Sequence, residues 1–161
     1  MNTTKPLSLL SAATALALAV AAALADQLSA GHGGELVNFP ENYAEGVLYA
    51  VVPRGNIRQE IYTSREATDA VKRGDPIPSG TVITLVDSRD GKLFRYVVME
   101  KRTGWGAQYP REKRNGEWEY QAFNADKSVN HNENLDRCFA CHKSQAQQDF
   151  VWTLDRMKRA K

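Results

Sequence analysis

Thr81-Val82-Ile83-Thr84-Leu85-Val86, then Asp90-Gly91, then Leu93-Phe94-Arg95-Tyr96-Val97-Val98-Met99, is the stretch that decides the fold. Val82, Ile83, Leu85 and Val86 give the first run strand chemistry. Asp-Gly accommodates the positive backbone angles of a tight hairpin turn. The second run returns as the antiparallel partner. A chain built around this hairpin is not a helical bundle.

Upstream, Gly46 to Val52 reads as a strand closed by Pro53, and Ile57 to Tyr62 as a second, short strand. Ser64 stands as N-cap of a short helix over Arg65 to Arg73, ended by Gly74, with Ala67, Ala70 and Val71 on its apolar face. Asp75 to Gly80 is a turn-rich connector. Downstream, Gly104 to Pro110 is a loop carrying Trp105, Asn115-Gly116 a turn, Trp118 to Phe123 a strand, and Asn124 to Asp136 a polar loop. Ala146, Phe150, Leu154 and Met157 then recur at helical spacing, with Lys158, Arg159 and Lys161 suited to the negative pole of a helix. The fold class that follows is α+β: a mainly antiparallel sheet of about five strands, a short helix and a C-terminal helix.

Cys138-Phe139-Ala140-Cys141-His142 uses both cysteines of the chain and one of its three histidines. C-x-x-C-H is the attachment signature of a c-type haem: two thiols add across the vinyl groups and the adjacent imidazole ligates the iron. A thioredoxin-type disulfide belongs early in a βαβ unit, and zinc needs four ligands. A structural disulfide leaves the histidine unexplained. The expected cofactor is one covalent haem c per chain, on Cys138 and Cys141 at the head of the C-terminal helix. His142 is the metal ligand through Nε2, its Nδ1–H requiring an acceptor.

Lys5, the apolar run Leu7 to Leu24 and the A-x-A site Ala23-Leu24-Ala25 predict a signal peptide over residues 1–25, with Ala30 as an alternative cut and an uncleaved anchor as the competing reading. Residues 26–38 read as a flexible leader and 39–161 as one domain. The charge after removal of one lysine stays near neutral, and no basic stripe points to nucleic acid. Export and covalent haem agree on a periplasmic location.

The run CFACHKSQAQQDFV at residues 138–151 resembles the C-terminal segment of the cytochrome P-460 family. Phe39-Pro40-Glu41-Asn42-Tyr43, the helix-turn-Gly80-Thr81-Val82 unit and the Trp118 strand fall in the matching order, so the resemblance spans most of residues 39–157. It implies a mainly antiparallel β fold with a five-coordinate c haem, and a homodimer is common in the family. The family includes hydroxylamine-oxidising enzymes, in which a lysine of the Gly-Thr-Val strand is bonded to the haem edge, and the nitric-oxide-binding cytochromes c-prime-beta. In this chain that strand has no lysine. Leu85 takes the matching place, and Lys72 and Lys92 lie outside the strand. The resemblance is therefore closer to the c-prime-beta branch.

Ile83 and Leu85 share one face of their strand and are expected to cover the iron as an apolar lid, with no donor nearby. Arg58 and Gln59 are candidates for a polar group on a neighbouring strand, the solvated edge charge being the favoured reading of Arg58. Tyr62, Phe94, Tyr96, Trp118 and Phe123 are candidate haem walls, and Trp105 a weaker one. Met99 and Met157 read as core, His32 as part of the leader, and His131 as a solvated loop residue. Lys143 and the run Arg111 to Arg114 need no special role, docking of a redox partner protein being an alternative for the run. Three functions compete: a carrier or trap of nitric oxide or a similar small ligand, an enzyme oxidising hydroxylamine with Glu100 or Asp87 as base, and a six-coordinate electron carrier using Met99 or His131.

Overall fold

The computed structural model describes residues 36–161, so the expected signal peptide and most of the expected leader lie outside the described residues. Five strands, β1 (Val47–Arg54), β2 (Ile57–Thr63), β3 (Val82–Arg89), β4 (Lys92–Lys101) and β5 (Trp118–Asn124), form one antiparallel sheet in the order β1-β2-β3-β4-β5. Three α-helices, α1 (Arg65–Arg73), α2 (Leu135–Lys143) and α3 (Leu154–Lys158), complete the α+β architecture among the described residues.

Local chemistry explains most of these elements. Asp90 and Gly91 take φ values of +49° and +74°, the left-handed pair that a tight hairpin requires. Ser64 Oγ accepts from Ala67 N–H at 3.1 Å to start α1, and Gly74 at φ +82° ends it. Ala67, Ala70 and Val71 are buried on its inner face. β1 does not stop at Val52 but runs through Pro53 to Arg54. It is an edge strand, where proline is tolerated.

The sheet has two packed faces. One carries Ile61, Ile83, Met99, Trp118 and Tyr120 against Val71, Phe139, Val151 and Met157 of the helical layer. The other carries Tyr96, Val98 and Phe123 against Val37, Phe39, Tyr43 and Trp105. Val37, within the stretch read as leader, is buried there, so the packed domain begins ahead of Phe39. α3 is latched to the edge strand by Arg156 Nη1 donating to Val51 O at 2.8 Å.

The single C-terminal helix expected from the stripe does not form. α2 ends at Lys143, a 3-10 turn follows at Ala146–Gln148, and Asp149 and Phe150 adopt left-handed φ values of +50° and +61° before α3. The physical reason is that tertiary contacts override the helical spacing. Asp149 is drawn to β4 and β5, its carboxylate accepting from Lys101 Nζ at 2.6 Å and Trp118 Nε1 at 3.3 Å. Phe150 and Met157 still reach the core, from separate segments, while Ala146 is exposed.

Candidate functional site

The C-x-x-C-H motif occupies the second half of α2, not the head of the last helix. Asn134 caps α2 through its side-chain oxygen, which accepts from Asp136 N–H at 3.0 Å. Buried Asn115 donates from Nδ2 to Phe139 O at 2.9 Å and to Tyr120 Oη at 3.1 Å, tying the middle of the motif to β5. The Phe139 and Tyr120 rings meet edge-on at 4.7 Å. Lys143 Nζ, rather than being free in solvent, donates to the backbone carbonyls of Glu112 and Arg114. The motif is thus fixed from both ends.

Cys138 and Cys141 are both free thiols, three residues apart and so neighbours on the helix surface. Cys138 is half-buried and Cys141 exposed, and burial pushes the Cys138 thiol above its ordinary pKa.

His142 Nδ1 lies 2.6 Å from Phe150 O. A carbonyl only accepts, so Nδ1 carries the hydrogen, and Nε2 keeps its lone pair for the cavity that the ring lines. Burial lowers the imidazole pKa, partly opposed by the bond to Phe150. The neutral, Nδ1-protonated tautomer that results is the metal-ligating form. The Tyr120 ring lies 5.0 Å from the His142 ring.

The cavity measures about 200 Å³. Its sheet wall is aliphatic in the middle, with Ile61, Ile83, Leu85 and Val97, and Met99 and Tyr120 continue it. Val151, Trp152 and Thr153 form the other side. Polar groups gather at the β1–β2 end, where Gln59 and the exposed Arg54 line the rim. Tyr49 Oη is hydrogen-bonded to Thr153 Oγ1 at 2.8 Å, and burial pushes its phenol pKa up. His142 lines the cavity while Cys138 and Cys141 do not; two free thiols and a neutral imidazole on one helix are the groups that a c-type haem would use.

The structure brings Ile83 and Leu85 into one cavity with His142. Gln59 joins them, whereas Arg58 turns to the surface and pairs with Glu60 at 2.7 Å. The lid is therefore aliphatic with polar groups at its rim, rather than free of donors. Of the aromatic walls expected, Trp118 lies on the cavity side of the sheet. Tyr62 packs with Tyr43 beside the opposite-face cluster that holds Tyr96, Phe123 and Trp105. Phe94 is exposed beneath the Arg89 guanidinium, 3.6 Å from its ring centre. Strand alternation is the reason: Trp118 and Tyr120 share a face that Phe123 does not. The aromatic lining is Tyr49, Tyr120 and Trp152 instead. Tyr120 could have been found from its two-residue spacing from Trp118, and Tyr49 from its two-residue spacing from Val47, with Leu48 between them exposed.

Met157 is fully buried core and His131 sits in an exposed loop. Met99 is both core and cavity wall. Neither carboxylate considered as a base is free: Asp87 is paired with Arg95 at 3.2 Å, and Glu100 with Arg102.

A family model for cytochrome P460 matches residues 40–153. No curated protein matches the chain.

Proposed function

Since the chain belongs to the cytochrome P460 family, a family of haem c proteins, we propose that it is an exported, periplasmic mono-haem cytochrome that binds nitric oxide or a similar small uncharged ligand. Cys138 and Cys141 would hold the haem and His142 would ligate its iron, and the group would supply a site for a small ligand. The observation that carries this reading is the aliphatic wall of Ile83, Leu85 and Val97 in the cavity that His142 lines, with Leu85 standing on the strand where a lysine would allow a cross-link.

His142, held neutral with Nδ1–H on Phe150 O, is a fixed and electron-rich donor. Ile83 and Leu85 exclude water and offer no charge, which favours neutral diatomic ligands over anions. The Gln59 amide is a neutral donor on the lining. Arg54, exposed on the rim, would offer a charged partner to a carboxylate of a bound haem. Hydroxylamine oxidation is the weaker reading because Asp87 and Glu100 are held in ion pairs.

A second reading has one observation in its favour: Met99 lines the same cavity as His142 and carries a thioether able to serve as sixth ligand. The ferrous absorption spectrum with and without nitric oxide separates the readings. High-spin ferrous iron that takes up nitric oxide is the expected result. A low-spin ferrous spectrum unresponsive to nitric oxide would transfer the function to electron carriage through Met99. Sustained turnover of hydroxylamine with an electron acceptor would transfer it to catalysis.

A further inference from the structure

We propose that Asp149 is a positioning residue for His142, acting through the carbonyl of Phe150. The proposal rests on the reading that His142 ligates the haem iron, and it adds the device that sets the strength of that ligand.

Asp149 and Phe150 are consecutive non-glycine residues in the left-handed region, at φ +50° and +61°. Aspartate tolerates that region better than most L-residues, but a bulky phenylalanine directly after it does not, so the pair needs support from its surroundings. The compelling contacts are visible. Asp149 Oδ2 accepts from Lys101 Nζ at 2.6 Å, and Oδ1 from Trp118 Nε1 at 3.3 Å. Lys101 and Trp118 are themselves cross-strand partners where β4 ends and β5 begins, so the carboxylate is gripped by one rigid rung of the sheet. Phe150 N–H is held by Gln145 O at 2.8 Å. Its ring lies against Gly116, where an added Cβ would come within 3.0 Å of Phe150 Cε2.

The result of this strained turn is the orientation of one carbonyl. Phe150 O faces His142 Nδ1 at 2.6 Å. A short bond from Nδ1–H to a fixed acceptor increases the basicity of Nε2 and locks the ring about its own axis. Local strain concentrated beside a ligand, and held in place by contacts from distant strands, is the pattern of a site tuned by its supporting shell.

The test uses the holoprotein with D149A, D149N and K101M, read by the ferrous iron–histidine stretching band in resonance Raman and by the ferric/ferrous equilibrium. D149A is expected to lower the band frequency and to shift the equilibrium toward ferrous by about tenfold, the scale of supporting-shell effects at metal sites. D149N keeps an acceptor for Trp118 but loses the charge pairing with Lys101, and should fall between wild type and D149A. K101M releases the same carboxylate from the other side and should move both readouts in the same direction, independently of any folding defect in D149A. Unchanged band and equilibrium in both D149A and K101M would overturn the proposal. A wild-type protein with no iron–histidine band would instead count against the haem reading. The clamp is then judged in the apoprotein, where the exchange-protected Nδ1–H proton signal of His142 should be lost in D149A. Its persistence there would overturn the proposal on its own.

Discussion

Leu85 and Val97 are cross-strand partners on β3 and β4, and both line the cavity that His142 lines. A pair of aliphatic side chains therefore forms part of the wall of that cavity. Leu85→Lys is expected to change the ferrous spectrum outright, by amine ligation to the iron or by a bond to the haem edge. Leu85→Ala should leave the spectrum high-spin, speed nitric oxide uptake, and cost about 2 kcal/mol by urea unfolding, the lower range for a half-buried leucine. An L85K spectrum identical to wild type would show that residue 85 does not face the iron.

Met99 decides between an open and a closed iron. Met99→Leu preserves volume in the core and is expected to cost under about 1.5 kcal/mol. With an open iron the ferrous spectrum is unchanged. Conversion from low to high spin would identify Met99 as the sixth ligand.

Glu119 is fully buried on β5 beside Glu100, and burial raises its carboxyl from 4.5 to about 7, opposed by a hydrogen bond from Tyr109. A carboxyl with a raised folded pKa favours folding in its protonated form. Its favourable contribution is complete below the unfolded pKa and is lost as pH rises through about 7. Stability measured by urea titration should accordingly decline between pH 4.5 and pH 7. Glu119→Gln is expected to remove that decline and to gain about 2 kcal/mol at pH 8. A variant with the wild-type pH profile would refute the assignment.

Asn115 joins two parts of the site by donating to both Tyr120 Oη and Phe139 O from a buried position. Asn115→Ala strands a buried carbonyl and a buried phenol, for an expected loss of about 3 kcal/mol. The loss should concentrate in α2, seen as faster amide exchange over Leu135–Lys143 than over the strands. Uniform acceleration across the sheet would contradict this.

What could be read in the sequence was local. The Asp90-Gly91 turn, the Ser64 and Gly74 caps and the alternation that pairs Ile83 with Leu85 each depend on a few adjacent residues. The motif at Cys138 to His142 needed no neighbours at all. The broken C-terminal helix was hidden because Ala146, Phe150, Leu154 and Met157 keep helical spacing. The forces that break it come from Lys101 and Trp118, 48 and 31 residues from Asp149 along the chain. The acceptor for His142 was illegible for the same reason, since it depends on a backbone turn that distant side chains hold.

The order β1-β2-β3-β4-β5, in which each strand pairs with its neighbour in sequence, bears on how the protein assembles. Such a meander combines two tight hairpins, β1–β2 and β3–β4, with longer connections that still join sequence neighbours, so no strand searches for a distant partner. The sheet wall of the cavity is complete at Asn124, before the thiols at Cys138 and Cys141 in chain order. In chain order α2 follows the whole sheet and docks onto a surface already formed, with the segment from Val151 through α3 still to close over it. The segment carrying Cys138 and Cys141 is then added after the sheet is built, and Cys141 stays exposed in the finished fold.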